Sequence, residues 1–300
     1  IQTRDHSIEY LSRLMNICMD VAVNPATGQI SVIGTDATNE IRFEPVLNGR
    51  FLTVEHALVD PVSGSVERIN LNPHLEGLSP PFPTDLTTRS IGDPRQILWS
   101  PEGHRAYVAG MGSDNLLVLD ASGAPTESIP IPLEGGPTAL ALDPEAEILF
   151  VYQRFANQLT VINTQTLEPQ SSIRLFDPTP SDIRQGRVHF YNTQKTSGSG
   201  HVSCASCHVN GRFDRLAWDL GTPEGPEIPI NRTRSFETEF QPSNPLTFHP
   251  MKGPMVTMTM QDLIGHEPFH WRGDRFGIEA FNATFTDLQA RDTPLLPDEM

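Results

Sequence analysis

The sequence predicts a mixed chain: a repeated all-β part over residues 1–175, followed by a mostly helical part over residues 176–300. Three observations predict it. Short apolar runs broken by Pro, Gly, Asn and Asp recur at a fixed spacing in the first part. The composition changes at Phe176 into a Pro- and Asp-rich link whose N-cap chemistry points to a helix after it. A single reactive stretch, Cys204-Ala205-Ser206-Cys207-His208, stands in the second part.

The clearest repeat begins Asp93-Pro94-Arg95-Gln96-Ile97-Leu98-Trp99-Ser100-Pro101. It runs on through Arg105-Ala106-Tyr107-Val108-Ala109 to Asn115-Leu116-Leu117-Val118-Leu119-Asp120. Forty-three residues later (Pro94 to Pro137, Pro101 to Pro144) the pattern returns as Gly136-Pro137-Thr138-Ala139-Leu140-Ala141-Leu142-Asp143-Pro144, with Ile148–Tyr152 and Gln158–Asn163 behind it. A looser copy opens at Asp20-Val21-Ala22-Val23-Asn24-Pro25 and continues through Gln29–Ile33. A period of roughly 40–45 residues with four short strands per unit predicts β-propeller blades, which bury their faces only by stacking. Residues 36–92 interrupt the pattern, as a long insertion or a degenerate blade. About four units are expected, at the low end of the roughly four to eight blades of closed propellers, so further blades are expected upstream of Ile1. The "ayVa … n.l.vlD" phrasing resembles the YVTN family of propellers over about residues 16–175. Cys18, between Met15, Ile17 and Met19, is expected to be a buried thiol.

The second part opens with Asp177-Pro178-Thr179-Pro180-Ser181-Asp182, a link with N-cap chemistry, and predicts a helix through Ile183–Tyr191. The apolar spacing of Ile278–Leu288 predicts another helix, and residues 222–254, rich in Pro and polar residues, predict a loop.

Cys204 and Cys207 stand as C-x-x-C with His208 next to the second thiol, the attachment signature for c-type haem. Two thiols at this spacing reach the two vinyl groups of one porphyrin, and the adjacent imidazole reaches its iron. The alternatives fit less well. A structural zinc needs four N/S ligands, and the remaining cysteine, Cys18, is far away; His201 and His208 could complete a set on paper, but no second C-x-x-C or H-x₃-H pair supports it. A thioredoxin-like pair follows a strand of a βαβ unit, whereas this pair follows Thr196-Ser197-Gly198-Ser199-Gly200.

Together with Gly186-Arg187, Phe190-Tyr191, Gly211-Arg212, Trp218-Asp219-Leu220-Gly221, Met251-Lys252-Gly253-Pro254-Met255 and His270-Trp271-Arg272-Gly273-Asp274-Arg275, the motif resembles the bacterial dihaem cytochrome c peroxidase superfamily. The resemblance covers about 120 residues and lies in a branch whose haem domain follows a YVTN-like propeller. It implies a c-type cytochrome domain over residues 176–300. It also implies close crossing of the last helix at Gly186, and Phe190 or Tyr191 packed beside the haem. Cofactor-binding candidates are Cys204, Cys207, His208, Met255, Trp218 and Arg272. His208 is the proximal iron ligand. Met255, flanked by Gly253 and Pro254, is the first choice for the second axial position, with His270 next and Met258 and His249 behind; an empty position would permit peroxide chemistry. The superfamily's distal methionine falls in the helix after the His270–Asp274 stretch, and Ala280–Phe285 contains none. Arg272 and Arg275 are expected to pair with haem propionates or Asp274. Trp218 is expected to pack on the porphyrin or in the core, and Trp271 in a buried turn.

One motif predicts one haem c per chain. The net charge of −16 argues against nucleic acid and anionic membrane surfaces and suits a cationic redox partner or bound calcium. No segment reaches the length of a membrane span. C-x-x-C-H attachment takes place outside the cytoplasm, so a periplasmic or extracellular location is expected, with a leader removed or upstream. Electron transfer, with the propeller as docking scaffold, is the leading expectation. The alternatives are a peroxidase-like oxidoreductase whose second haem lies outside residues 1–300, and a redox-sensing binding protein.

Overall fold

The structure is a computed structural model that describes residues 10–41, 47–126, 129–220 and 253–300, together with the backbone of two short strands at 228–229 and 247–248. Contacts divide the chain into two compact units. The first comprises residues 1–36, 53–73 and 94–177; the second comprises 37–52, 74–93 and 178–300.

The first unit is built on three four-stranded antiparallel sheets, each in sequential strand order. Sheet one holds β1 (Ile17–Val23), β2 (Ile30–Ala37), β3 (Leu52–Val59) and β4 (Val66–Asn70). Sheet two holds β5 (Pro94–Trp99), β6 (Ala106–Gly110), β7 (Asn115–Leu119) and β8 (Ile131–Pro132). Sheet three holds β9 (Pro137–Asp143), β10 (Ile148–Gln153), β11 (Gln158–Asn163) and β12 (Pro169–Arg174). Three sheets stand where the repeat suggested about four units. The stretch 36–92 is neither a simple insertion nor a separate blade. It supplies the last two strands of sheet one, and its two flanking loops, 37–52 and 74–93, join the second unit.

The same turn chemistry recurs because Asn or Asp, with Pro in several turns, ends one strand of four of the hairpins. Asn24 Oδ1 accepts from the amides of Ala26 and Thr27, Asp60 from Val62 and Ser63, Asp143 from Glu145 and Ala146, and Asn163 from Gln165 and Thr166. Each side chain thus closes its hairpin by satisfying the amides two and three residues on. Gly28 and Gly64 end two of these turns at φ +73° and +70°, where an L side chain would be strained.

Successive sheets are laced by a second repeated device. Asp20 in β1 accepts from the Ile97 amide in β5, and Gln96 in β5 accepts from the Leu140 amide in β9. Asp20, Gln96 and Ala139 occupy one repeat position, with the same offsets as Pro25, Pro101 and Pro144. A β-bulge interrupts the register beside each of these strand starts. Trp99 Nε1 adds a 2.9 Å bond to Ser31 Oγ. Apolar packing supplies the bulk of the stability: Tyr107, Leu116, Val118, Leu140, Leu149, Val151 and Ile162 form one buried cluster, each large side chain contributing about 1.5–3 kcal/mol. Cys18, expected in the core, is exposed on β1. Alternation explains it, since Cys18, Val21 and Val23 are exposed while Ile17, Met19, Asp20 and Ala22 are half-buried.

The second unit is less helical than its resemblance implied. Among the described residues its one helix of length is α2 (Ser181–Tyr191); α1 (Thr84–Thr87), α3 (Thr193–Thr196), α4 (Cys204–Cys207) and α5 (Ala283–Asp287) are single turns. The predicted helix over 278–288 is a 3₁₀ turn, Ile278–Phe281, running into α5. Short strands complete the unit: β13 (Ala217–Trp218) pairs with β16 (Met255–Val256), and β14 (Ile228–Pro229) pairs with β15 (Thr247–Phe248). Loops rather than helices form the core because their polar groups are satisfied internally. Thr193 Oγ1 donates to the Gly200 carbonyl, Ser197 Oγ to that of Thr193, and Ser90 Oγ to that of Leu86. Ser199, Thr193 and Thr196 are fully buried, so the Ser/Gly run before the cysteines is packed interior.

Candidate functional site

α4 carries the site. The Ser203 amide donates to Ser206 Oγ at 2.9 Å, and the His208 amide returns to the Cys204 carbonyl at 3.0 Å, winding Cys204, Cys207 and His208 onto one turn. The two cysteines are not joined to each other. Burial pushes the Cys204 thiol up to about 11, against an opposing hydrogen bond from Gln289 Nε2 at 3.5 Å. Burial also pushes Cys207 well up, helped by the negative charge of Asp214. Among the described residues, no group of three His, Cys, Asp or Glu comes together to hold a metal ion.

His208 is aimed by its surroundings. Its Nδ1 lies 2.8 Å from the Met258 carbonyl and 3.4 Å from that of Arg212; a carbonyl only accepts, so Nδ1 carries the proton. Nε2 is therefore the lone-pair nitrogen, and it has no hydrogen-bond partner among the described residues. Burial lowers the His208 pKa, opposed by the two carbonyl bonds. An imidazole that is neutral, tethered through one nitrogen and open at the other is prepared as a metal ligand. The Phe190 ring lies 6.4 Å from it, and Tyr191 meets Phe190 edge-on at 4.8 Å. α2 thus brings its aromatic pair near His208. Gly186 does not serve as a crossing point, since among the described residues nothing lies within 4 Å of where its Cβ would be.

The remaining candidates separate into two groups. Met255 and Met258 belong to a segment running beside the motif: Met255 pairs with Trp218, the Thr257 amide donates to the Leu216 carbonyl, and the Met260 amide to that of Gly211. Met258 presents its carbonyl to the Nδ1 side of His208, opposite the nitrogen open to a metal. Trp218 is core, 5 % exposed, with Nε1 donating to Asp214 at 2.8 Å and its ring edge-on to Phe51. His270 is held differently. Its Nδ1 lies 2.8 Å from the Asp274 carboxylate and its ring stands perpendicular to Phe281, while its charge, when protonated, disfavours protonation of His208. The Asp274 carboxyl feels burial, which raises its pKa, but the hydrogen bond and charge of His270 and the charge of Arg272 bring it below the ordinary value. Arg272 thus acts on Asp274, and Arg275 lies over the Phe281 ring at 5.9 Å. Arg272-Gly273-Asp274 forms a turn closed by the Gly273 amide on the His270 carbonyl. Trp271, expected to be buried there, is 64 % exposed, its Nε1 bonded to the Val256 carbonyl. Met251 and His249 lie outside the described residues.

Sequence reasoning missed Asp214, Gln289 and the anchoring role of Asp274. Asp214 and Gln289 sit in no motif; Asp274, four residues after His270, carried a signal in its spacing.

No protein-family model matches the chain, and no curated protein matches it significantly. Among solved structures it is similar to hydrazine synthase of Kuenenia stuttgartiensis, at 18% identity and TM-score 0.40 over 51% of this chain and 46% of that one. It is also similar to apo AztD of Citrobacter koseri (14%, TM-score 0.32, 52% and 34%) and to the WD40 repeats of RRP9 (13%, 0.36, 53% and 38%). The match spans less than half the length of each of these proteins. The partial propeller rests on the three sheets themselves. No helix among the described residues is long and apolar enough to cross a membrane.

Proposed function

We propose that this chain is a c-type haem protein that passes single electrons, with Cys204 and Cys207 as the covalent anchors and His208 as the proximal ligand. The observation that carries the reading is the tether of His208 Nδ1 to the Met258 carbonyl, which leaves Nε2 as the donor nitrogen on the same turn as both sulfurs. The donor set fits haem: two enclosed, protonated thiols that can become thioethers, and one neutral imidazole. Haem supplies a one-electron iron couple; the chain supplies attachment, an aimed nitrogen and a surround of low polarity.

The second axial position is assigned to His270 in place of Met255. Met255 shares its segment with Met258, whose backbone lies behind His208, whereas His270 has its Nδ1 fixed by a carboxylate, the common support of a metal-bound imidazole. Two nitrogen ligands suit electron transfer rather than peroxide chemistry, which needs an open position. Arg272 remains a candidate for a propionate, and Trp218 supports the motif from the core. The sheets of the first unit serve as docking scaffold, the acidic balance suits a cationic redox partner, and thioether attachment places the protein in the periplasm or outside the cell. The whole arrangement is a c-type cytochrome domain joined to a propeller.

The test is an absorption spectrum of protein matured with haem-attachment machinery, oxidised and reduced, with and without carbon monoxide. A sharp reduced α-band untouched by carbon monoxide is expected. A carbon monoxide shift would move the reading to a peroxidase-like oxidoreductase, and the absence of covalent haem would remove it.

A further inference from the structure

Asp214 is a buried carboxylate that the attachment motif does not require. It is 4 % exposed, six residues past His208, and lies within the same compact unit. Its Oδ2 accepts from Trp218 Nε1 at 2.8 Å and its Oδ1 from the Leu216 amide at 2.9 Å. Two N–H donors on two oxygens satisfy an ionised carboxylate. Neither donor carries a formal charge, so the negative charge is held in place without being neutralised. It lies behind the proximal histidine: Leu216, whose amide it holds, accepts through its carbonyl from the Thr257 amide, and the next residue, Met258, tethers His208 Nδ1. A charge only 4 % exposed keeps much of its reach, because the interior screens it weakly.

We propose that Asp214 sets the reduction potential of the centre, acting as a fixed negative charge that favours the oxidised state. This rests on the haem reading above. Reduction adds one electron, taken from a mediator couple in the assay, with no bond made or broken. The added electron meets the field of Asp214, whereas the more positive oxidised centre is stabilised by it. The indole N–H of Trp218 moderates that field, so the two residues act with opposite sign.

The experiment is a potentiometric titration of the haem-loaded full chain, read at the reduced α-band, for the wild type, Asp214→Asn and Trp218→Phe. Asp214→Asn is expected to raise the ratio of reduced to oxidised protein at a fixed potential about tenfold, an upward shift of about 59 mV for a one-electron couple. Trp218→Phe keeps the charge and removes its partner, so the ratio is expected to fall about twofold to threefold. Opposite shifts support the inference. An unmoved potential in Asp214→Asn, or shifts of one sign in both variants, would overturn it. If Asp214→Asn loses its haem, Trp218→Phe decides alone: a fall supports the inference, and no change or a rise overturns it. Loss of haem from both variants shows a structural role and also overturns it. A wild type without covalent haem would fail the underlying reading, a result distinct from any of these.

Discussion

The lacing between sheets predicts a substitution whose cost can be worked from the structure. Gln96 accepts from the Leu140 amide, and Leu140 is 7 % exposed. β9 pairs with β10 along one edge only, so on its other edge this amide depends on Gln96. Gln96→Leu preserves size and removes the acceptor. A buried N–H left without a partner costs about 1–3 kcal/mol. For a unit of this size each kcal/mol lowers the midpoint by roughly 2–4 °C, so a fall of roughly 2–12 °C in the thermal transition is expected. Gln96→Glu keeps an acceptor oxygen and is expected to stay within about 0.5 kcal/mol of the wild type. Ala139→Gln, at the same repeat position in sheet three, meets no laced amide among the described residues and is expected to be neutral to the same margin. The assay is thermal and urea unfolding followed by far-ultraviolet circular dichroism. If Gln96→Leu is neutral, or Gln96→Glu is as damaging as Gln96→Leu, the lacing is not what holds β9.

Three further outcomes are expected. Gly198→Ala would place a Cβ 1.8 Å from the Ala290 carbonyl oxygen, beside the Gln289 that donates to Cys204; a loss of more than about 3 kcal/mol and a lower yield of covalent haem on a stained denaturing gel are expected. His270→Ala should open the protein to carbon monoxide while Met255→Ala leaves the spectrum unchanged; the reverse pattern would return the second ligand to Met255. Burial holds His56 and His201 below the ordinary histidine value of 6.5, against the raising effect of their carbonyl bonds. Both are therefore neutral when folded, and the unfolded chain binds more protons once the pH drops below about 6.5. Stability is full above that pH and is lost as pH falls toward the folded values, so the urea midpoint should be lower at pH 5.5 than at 7.5, with a shallower slope in His56→Gln.

Much of this was legible in the sequence because the signals were local. The repeat prolines and the Asn/Asp turn residues marked the hairpins, since each closes a turn with its own side chain. The helix observed over Ser181–Tyr191 was expected over Ile183–Tyr191 from the capping chemistry of the link before it, and C-x-x-C-H marked two thiols and an imidazole on one turn. Leu52–Val59 and Val66–Asn70 were hidden because loops that pack elsewhere separate them from β1 and β2, which breaks the period. Cys18 was misplaced because apolar neighbours in sequence do not tell which face of a strand is covered.

By itself the sequence determined the sheet repeat and the grouping of two thiols and an imidazole within five positions, because both are written locally along the chain. Tertiary structure decided which nitrogen of His208 is open, that Asp274 holds His270 through Nδ1, and that Asp214 is buried. The first of these depends on a carbonyl brought from elsewhere in the chain, that of Met258, which meets His208 across fifty positions. Spacing in sequence carries no record of such a meeting.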